Sequence, residues 1–148
     1  MIRIFIFSCC CFLLNGYSAA QTIKVDYITK VPKNFLQCGA QYTYDTTSLK
    51  KKKYILLADF QNLGMISING KLINLQLTDT KLTYERMNVV TYTGGGYTVV
   101  TTTKTARQTK LVDNEDGTLE VSKGKEKLSI RIHGQSACDE SKKERNRR

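Results

Sequence analysis

Two stretches of the chain alternate apolar and polar residues around a dipeptide that favours a tight turn. The first covers residues 65–77, MISINGKLINLQL, with Asn69 and Gly70 at its centre. An Asn-Gly pair supplies the positive φ angles that a two-residue type I′ hairpin turn requires. Folding the chain about this turn places Ile66 opposite Ile73 and brings most of the apolar residues onto one face, which is predicted to be buried.

The second stretch, residues 119–130, reads LEVSKGKEKLSI and has Gly124 and Lys125 at the centre of its predicted turn. Folding about these two residues places Lys123 opposite Glu126. It also brings every large apolar side chain of both strands onto one face. The turn residues and the apolar pattern therefore specify the same register.

Other strands are marked less sharply. They are predicted at residues 35–44, 54–60, 87–93, 97–104 and 109–112. Breaks fall at three consecutive glycines, residues 94–96, and at the acidic run DNEDG, residues 113–117. Because Asp, Asn and Gly favour turns, the acidic run predicts a five-residue hairpin turn.

The spacing of these strands indicates the fold class. No window of a dozen residues carries the 3.6-residue apolar period of a helix. About seven or eight short strands separated by turn residues are typical of an antiparallel barrel or a sandwich. We predict an all-β domain, a small antiparallel β-barrel of about eight strands or a sandwich. The barrel is favoured because closure removes unpaired strand edges.

The first twenty residues have the pattern of a secretory signal peptide. They combine one cation, Arg3, an apolar run over residues 4–14 and small residues at Ser18 and Ala20. The apolar run is too short to cross a bilayer as a helix. The signal peptide is therefore predicted to be cleaved near Ala20. The product is predicted to be secreted or periplasmic and to have no transmembrane segment.

Five cysteines divide between the signal peptide and the predicted domain. Cys9, Cys10 and Cys11 belong to the signal peptide, and an alternative reading acylates one of them as the first residue of a lipoprotein. Cys38 and Cys138 lie near the two ends of the folded region. Because exported chains meet an oxidising environment and no Cys-x-x-Cys spacing is present, a single disulfide is predicted.

The chain is predicted to contain one domain. Residues 21–138 are enough for a single β-barrel domain but not for two. Within them, residues 21–33 precede the first strong strand and are predicted to form a loose lead-in. Residues 139–148 are almost wholly polar and charged, and they predict a disordered tail.

Net charge favours anionic partners. The sequence carries a formal charge of +10, and its densest basic run is Lys50, Lys51, Lys52 and Lys53. Such a run suits an anionic glycan or another envelope polymer. The pattern disfavours nucleic acid as a partner, because the aromatic residues that stack on single-stranded bases are not interleaved with the lysines.

Catalytic and metal-binding patterns are weak. His133 is the only histidine, and no serine lies in a nucleophile-elbow sequence. The acidic run 113–117 lacks the spacing of a calcium loop. We therefore predict no enzyme activity, no cofactor and no metal. An internal apolar ligand is disfavoured, because the alternating residues look large enough to fill the lumen.

The segment SKGKEKLSIRIHGQSAC, residues 122–138, resembles the end of the MliC/PliC family of periplasmic or lipid-anchored c-type lysozyme inhibitors. Shared features are a Lys-Gly-x-Glu-like turn, an alternating strand and a closing cysteine that pairs with an early one. The residues that match are Lys123, Gly124, Glu126, Leu128, Ile130 and Cys138, with Cys38 as the early partner.

This resemblance implies an eight-stranded antiparallel barrel and a binding function. In the family, a lysine of this turn enters the lysozyme cleft, and the matching position here is Lys123, whose ammonium would pair with a catalytic carboxylate. The sequence is thus interpreted as an exported, non-enzymatic binding protein that presents the turn at Lys123, Gly124 and Glu126 to a lysozyme-like hydrolase. The alternative is an anionic-glycan module that uses residues 50–53.

Overall fold

The computed structural model describes residues 22–36, 38–109 and 112–138 of the chain. The predicted signal peptide, residues 1–20, and the predicted charged tail, residues 139–148, lie outside the described residues. Among the residues described, neither helix is long and apolar enough to span a membrane.

Strands make up most of the described chain. Their bounds are β1 (Val25–Asp26), β2 (Cys38–Thr43), β3 (Leu56–Asp59), β4 (Leu63–Ile68), β5 (Lys71–Leu82), β6 (Asn88–Gly94), β7 (Tyr97–Gln108), β8 (Val112–Lys123) and β9 (Glu126–Cys138). A 3-10 helix (Lys33–Leu36) precedes β2, and a five-residue helix α1 (Thr46–Lys50) lies between β2 and β3.

The strands form a closed barrel. From β2 to β9, each strand pairs with the next one along the chain in antiparallel orientation, and β9 pairs back with β2. The result is an eight-stranded up-and-down barrel. β1 is a ninth strand that pairs with the end of β4, beyond the residues that pair with β3. The predicted all-β barrel is confirmed, and the sandwich alternative is wrong.

Both predicted hairpins form in the predicted register. Asn69 has φ 50° and Gly70 has φ 73°, as a type I′ turn requires, and the predicted pairs of β4 and β5 form on either side. In the second hairpin Lys123 lies opposite Glu126, and Gly124 has φ 59°. Local turn chemistry and apolar alternation were sufficient to predict both pairings.

Inward-facing side chains of all eight barrel strands build the main core. Those that are fully buried include Leu56, Ile66, Leu75, Val99, Leu119, Val121 and Ile132. Burying one such side chain contributes about 1.5–3 kcal/mol. Ile23 and Val25, from the segment before β2, belong to the same cluster.

A second apolar cluster covers the outside of β3 and β4. It joins Ile28 and Phe35 from the N-terminal segment with Tyr54, Leu57 and Met65. The prediction of a loose lead-in over residues 21–33 is therefore wrong for its described part, which packs in both clusters. The apolar residues that hold it are widely spaced, so no periodic pattern indicated the packing.

The predicted disulfide is present. Cys38 and Cys138 are directly opposite each other on β2 and β9, and their sulfur atoms are bonded. The bond therefore lies at one end of the ladder that closes the barrel. It joins residues separated by 100 positions in the sequence.

The predicted hairpin turn at residues 113–117 is wrong. These residues form the first half of β8, and the reversal between β7 and β8 lies between Gln108 and Val112. Of the predicted strand at 109–112, Thr109 lies in the connection and Val112 begins β8, whereas residues 110 and 111 lie outside the described residues. Pairing with β7 on one side and β9 on the other outweighs the turn propensity of the acidic run.

The other predicted strands differ at their ends. The first was placed at residues 35–44, but its opening residues form the 3-10 helix and β2 begins at Cys38. β7 continues to Gln108, beyond the predicted end at residue 104. The helix α1 was not predicted, because five residues are too few to display a helical period.

We expect removal of the disulfide to lower stability strongly. Replacing Cys38 and Cys138 together by alanine should lower the free energy of unfolding by about 4–5 kcal/mol, because the unfolded chain regains the freedom of a long loop. Urea unfolding followed by circular dichroism measures the change. Chemically reduced wild-type protein should show the same loss, and a loss below about 1 kcal/mol in both samples would contradict this role.

Gly117 offers a test of the corrected β8 assignment. A Cβ at this position would overlap the carbonyl oxygen of Thr102 on β7, which is held in the strand ladder. Gly117→Ala should therefore lower the free energy of unfolding by about 1–3 kcal/mol. The exposed neighbour Thr118 provides the control, and Thr118→Ala should change stability by only about 0.5 kcal/mol. If the two substitutions had equal effects, the close contact between Gly117 and the Thr102 carbonyl oxygen would be contradicted.

Candidate functional site

The two ends of the barrel carry different residues. The end that we call the turn end carries the tight reversals at 69–70, 95–96 and 124–125 and the segment 44–55 that contains α1. The opposite end, which we call the cavity end, carries the connections after β3, β5 and β7. Since successive strands run in opposite directions, this division follows directly from the up-and-down order.

Lys123 lies at the turn end, on the β8–β9 hairpin. Its side chain is exposed, whereas that of Glu126 opposite is only half-exposed. The Lys123 ammonium lies 4.7 Å from the centroid of the Tyr97 ring, which belongs to the adjacent β6–β7 hairpin. A cation over an aromatic face at an exposed site contributes about 0.5–1 kcal/mol. Tyr97 therefore restricts where the Lys123 ammonium points.

The basic run also lies at the turn end. Asp45 begins α1, because its carboxylate accepts hydrogen bonds from the Ser48 backbone N–H (2.7 Å) and the Ser48 hydroxyl (2.9 Å). These hydrogen bonds hold the pKa of Asp45 below its ordinary value. Lys50 is the last residue of the helix and Lys51 caps it, so both cations lie at the negative end of the helix dipole.

The remaining lysines of the run differ in their surroundings. Lys52 has φ 55°, which places it in the left-handed region and turns the chain. The Lys53 ammonium lies 5.7 Å from the centroid of the Tyr27 ring. All four lysines are exposed. The structure therefore places both sequence-predicted basic sites at one end of the barrel, each with one lysine over a tyrosine ring.

A cavity of about 410 Å³ lies inside the barrel at the cavity end. Its lining combines acidic side chains (Asp59, Asp113 and Glu115), other polar side chains (Asn62, Thr80, Asn88, Thr105 and Ser136) and apolar ones that include Leu77 and Val90. The rings of Tyr42 and Tyr92 and the side chain of Phe60 complete much of its wall. The prediction that alternating side chains fill the lumen is thus wrong at the cavity end.

Glu115 is held in this cavity by two hydrogen bonds from other side chains. The Tyr42 hydroxyl donates a hydrogen bond of 2.8 Å to its Oε2 atom, and the Ser136 hydroxyl donates one of 2.8 Å to Oε1. Glu115 lies opposite Gly134 in the β8–β9 ladder. A Cβ on Gly134 would overlap the Tyr42 ring, so glycine is what allows that ring to reach Glu115.

Both cavity tyrosines are shifted towards their neutral forms. Burial raises the pKa of Tyr92 to about 12, and the negative charges of Asp59 and Glu115 act in the same direction. Burial, followed by the charge and hydrogen bonding of Glu115, raises the pKa of Tyr42 well above its ordinary value. Tyr42 is therefore a hydrogen-bond donor throughout the physiological pH range.

Sequence reasoning missed the cavity because it assigned residues 113–117 to a turn. A readable signal was present, since alternate residues from 113 to 121 read Asp, Glu, Gly, Leu and Val. Leu119 and Val121 of this set are buried in the core, so the strand period of two places Glu115 on the same inward face. Extending the alternation backwards from Leu119 predicts an acidic group inside the barrel.

His133 does not build a catalytic arrangement in the described part of the chain. It lies on the outer face of β9, and its Nδ1 is 2.5 Å from Asp116 on β8. This contact gives the imidazole a polar partner on the neighbouring strand. No group of three or more His, Cys, Asp or Glu side chains is placed to hold a metal ion among the residues described.

Comparison of the chain with protein-family models, with curated proteins and with solved structures finds no match in any of the three. The resemblance to c-type lysozyme inhibitors therefore rests on the residues quoted for it.

Tyr92 offers a pH test of the cavity environment. Its pKa is about 12 in the folded chain against an ordinary value of 10.0. The stability that follows from this shift is present below pH 10 and is lost as the pH rises towards 12, because the unfolded chain releases the proton first. The free energy of unfolding should therefore decrease between pH 10 and pH 12. Urea titrations at several alkaline pH values would measure this decrease.

Phenolate absorbance follows the same group directly. Tyr92→Phe should remove a late step of the wild-type titration and flatten the decrease in stability at alkaline pH. Tyr84, which is fully exposed, provides the control, and Tyr84→Phe should leave that late step in place. A late step that Tyr92→Phe leaves unchanged would contradict the raised pKa of Tyr92.

Proposed function

We propose that this chain is an exported, non-enzymatic binding protein whose turn end contacts an acidic cleft of a partner protein, with Lys123 as the inserted group. The supporting observation is the position of Lys123, which is exposed on a tight hairpin and has its ammonium 4.7 Å from the Tyr97 ring centroid. A long, flexible lysine loses rotamer freedom when it binds. Contact with Tyr97 removes part of that freedom before binding, which favours association.

Three features agree with the lysozyme-inhibitor resemblance. They are the closed eight-stranded antiparallel barrel, the disulfide between Cys38 and Cys138, and the lysine on a Lys-Gly turn. Each was implied by the resemblance. The proposed target class is therefore a lysozyme-like hydrolase with a carboxylate in its cleft, which the Lys123 ammonium would meet as a charge-assisted hydrogen bond.

The position of the basic run favours a second candidate function. Lys50, Lys51, Lys52 and Lys53 are exposed at the same end of the barrel as Lys123. An anionic glycan or envelope polymer is long enough to contact several of these cations at once. Such binding is dominated by the release of counterions and weakens steeply with added salt.

The first test measures inhibition of hen egg-white lysozyme and its binding to the protein. Wild-type protein should inhibit at micromolar concentration, and Lys123→Ala should weaken inhibition about tenfold or more, because a buried carboxylate of the partner loses its counter-charge. Tyr97→Leu should weaken inhibition less, since the cation remains but its position is no longer restricted. Lysozyme activity and surface-based binding kinetics give the two readouts.

Lys104→Ala is the matched control, because it removes the same charge from an exposed position on the outer face of β7. It should leave inhibition unchanged. Absence of inhibition by the wild-type protein, or equal effects of Lys104→Ala and Lys123→Ala, would exclude the inhibitor proposal.

Salt separates the two candidate functions. Because c-type lysozymes are usually basic, added salt should screen repulsion and speed association with lysozyme. Retention on an anionic glycan should instead fall with salt, and it should be lost when residues 50–53 are all changed to alanine. Retention on glycan that survives this change would exclude the basic run as the binding site.

A further inference from the structure

The luminal cavity is acidic although the chain as a whole is basic. Asp59, Asp113 and Glu115 contribute carboxylates to its wall, against a formal net charge of +10 for the protein. Among the described residues that line the cavity, none is Lys, Arg or His. Partial enclosure strengthens electrostatic interactions, so these carboxylates disfavour anionic ligands and favour a cation.

Apolar side chains also line the cavity. Leu77 and Val90 contribute from β5 and β6, where the polar Thr80 and Asn88 line it as well, and the small Ala40 and Ala58 leave space inside the barrel. A volume of about 410 Å³ lies in the range of pockets that bind small molecules. The lining therefore suits a ligand that has one charged part and one apolar part.

A bare metal ion fits this lining less well. Calcium and magnesium need about six or more oxygen ligands that converge on one point. No such group of acidic side chains is formed within the described ranges. The Asp59 carboxylate also accepts hydrogen bonds from the backbone N–H groups of Gln61 (2.9 Å) and Leu63 (2.7 Å), which orient it for the β3–β4 connection.

Glu115 is positioned in advance to receive a cation. Each of its carboxylate oxygens accepts one hydrogen bond within the protein, from Tyr42 or Ser136, and each oxygen keeps a second lone pair. The Tyr92 ring lines the same cavity, and aromatic faces attract ammonium groups. Fixed geometry of this kind lowers the ordering cost of binding.

We propose that the cavity end of the barrel binds a small organic cation, an ammonium group attached to an apolar or aromatic body. Glu115 and Asp113 contact the ammonium, and Leu77 and Val90 contact the body. This site is at the opposite end from Lys123. It therefore does not depend on the proposed function of the turn end, and Lys123→Ala should leave it intact.

The test uses two probes of equal size in isothermal titration calorimetry with the full chain. One probe is 4-phenylbutylamine, which is a cation at neutral pH, and the other is 4-phenylbutan-1-ol, which is neutral. The amine should bind at one saturable site, and the alcohol should bind about tenfold or more weakly because it gains no ion pair. Amine-induced NMR shifts should concentrate on Val90 and Leu77 methyl groups.

Variants then assign the recognition. Glu115→Gln should weaken amine binding about tenfold and leave the weak binding of the alcohol unchanged. Asp113→Asn provides a second variant, which leaves the hydrogen bonds from Tyr42 and Ser136 to Glu115 in place. Asp116→Asn is the matched control, since Asp116 lies on the same strand but pairs with His133 on the outer face.

Three results would overturn the proposal. The first is a folded protein that binds neither probe, and the second is equal affinity for the amine and the alcohol. The third is amine binding that Glu115→Gln and Asp113→Asn weaken no more than Asp116→Asn does, since the amine would then respond to another site or to the overall charge. Retained lysozyme inhibition in Glu115→Gln would show that failure at this site leaves the turn end unaffected.

Discussion

Pairing between β2 and β9 is the constraint on which the barrel depends. Every other neighbour relation in the ring joins strands that are consecutive along the chain, whereas β2–β9 joins its first and last members. Such a contact forms only after a long loop has closed, which costs chain entropy. Cys38 and Cys138 lie opposite each other in this ladder, so their bond holds together the contact that is entropically most costly. If β2 and β9 were not paired, both strands would become open edges of the sheet.

Unequal strand lengths explain why one closed sheet has two chemically different ends. β2 and β3 have six and four residues, whereas β7, β8 and β9 have twelve or thirteen. Over the shared length, inward positions are filled by residues such as Leu119 and Val121. Towards the cavity end, the inward positions of β8 change to Gly117, Glu115 and Asp113. The same alternation along β8 therefore places apolar side chains in the core and, beyond Gly117, polar side chains on the cavity wall.

Parts of the fold that depend on neighbouring residues were predictable from sequence. The turns at Asn69 and Gly124 combine residue-specific φ preferences with apolar alternation, and both act within a few residues. The disulfide followed from counting the cysteines that remain after a predicted signal peptide. The beginning of β8 was not predictable from local propensity, because its turn-forming residues are held extended by strands on both sides. The Tyr42 contact with Glu115 joins residues 73 positions apart, and no local pattern reports such a distance.

The two ends of the barrel should select ligands by different physical means. At the turn end the lysines are exposed, so their field acts over a distance, adds to the overall positive charge and is screened by salt. In the cavity the carboxylates are partly enclosed, and Glu115 is already held by two hydrogen bonds, so attraction acts at short range and salt screens it less. Under the proposal made above, a cation would approach against the net charge and would gain its affinity only after entry. One continuous sheet thus separates exposed lysines at one end from partly enclosed carboxylates at the other.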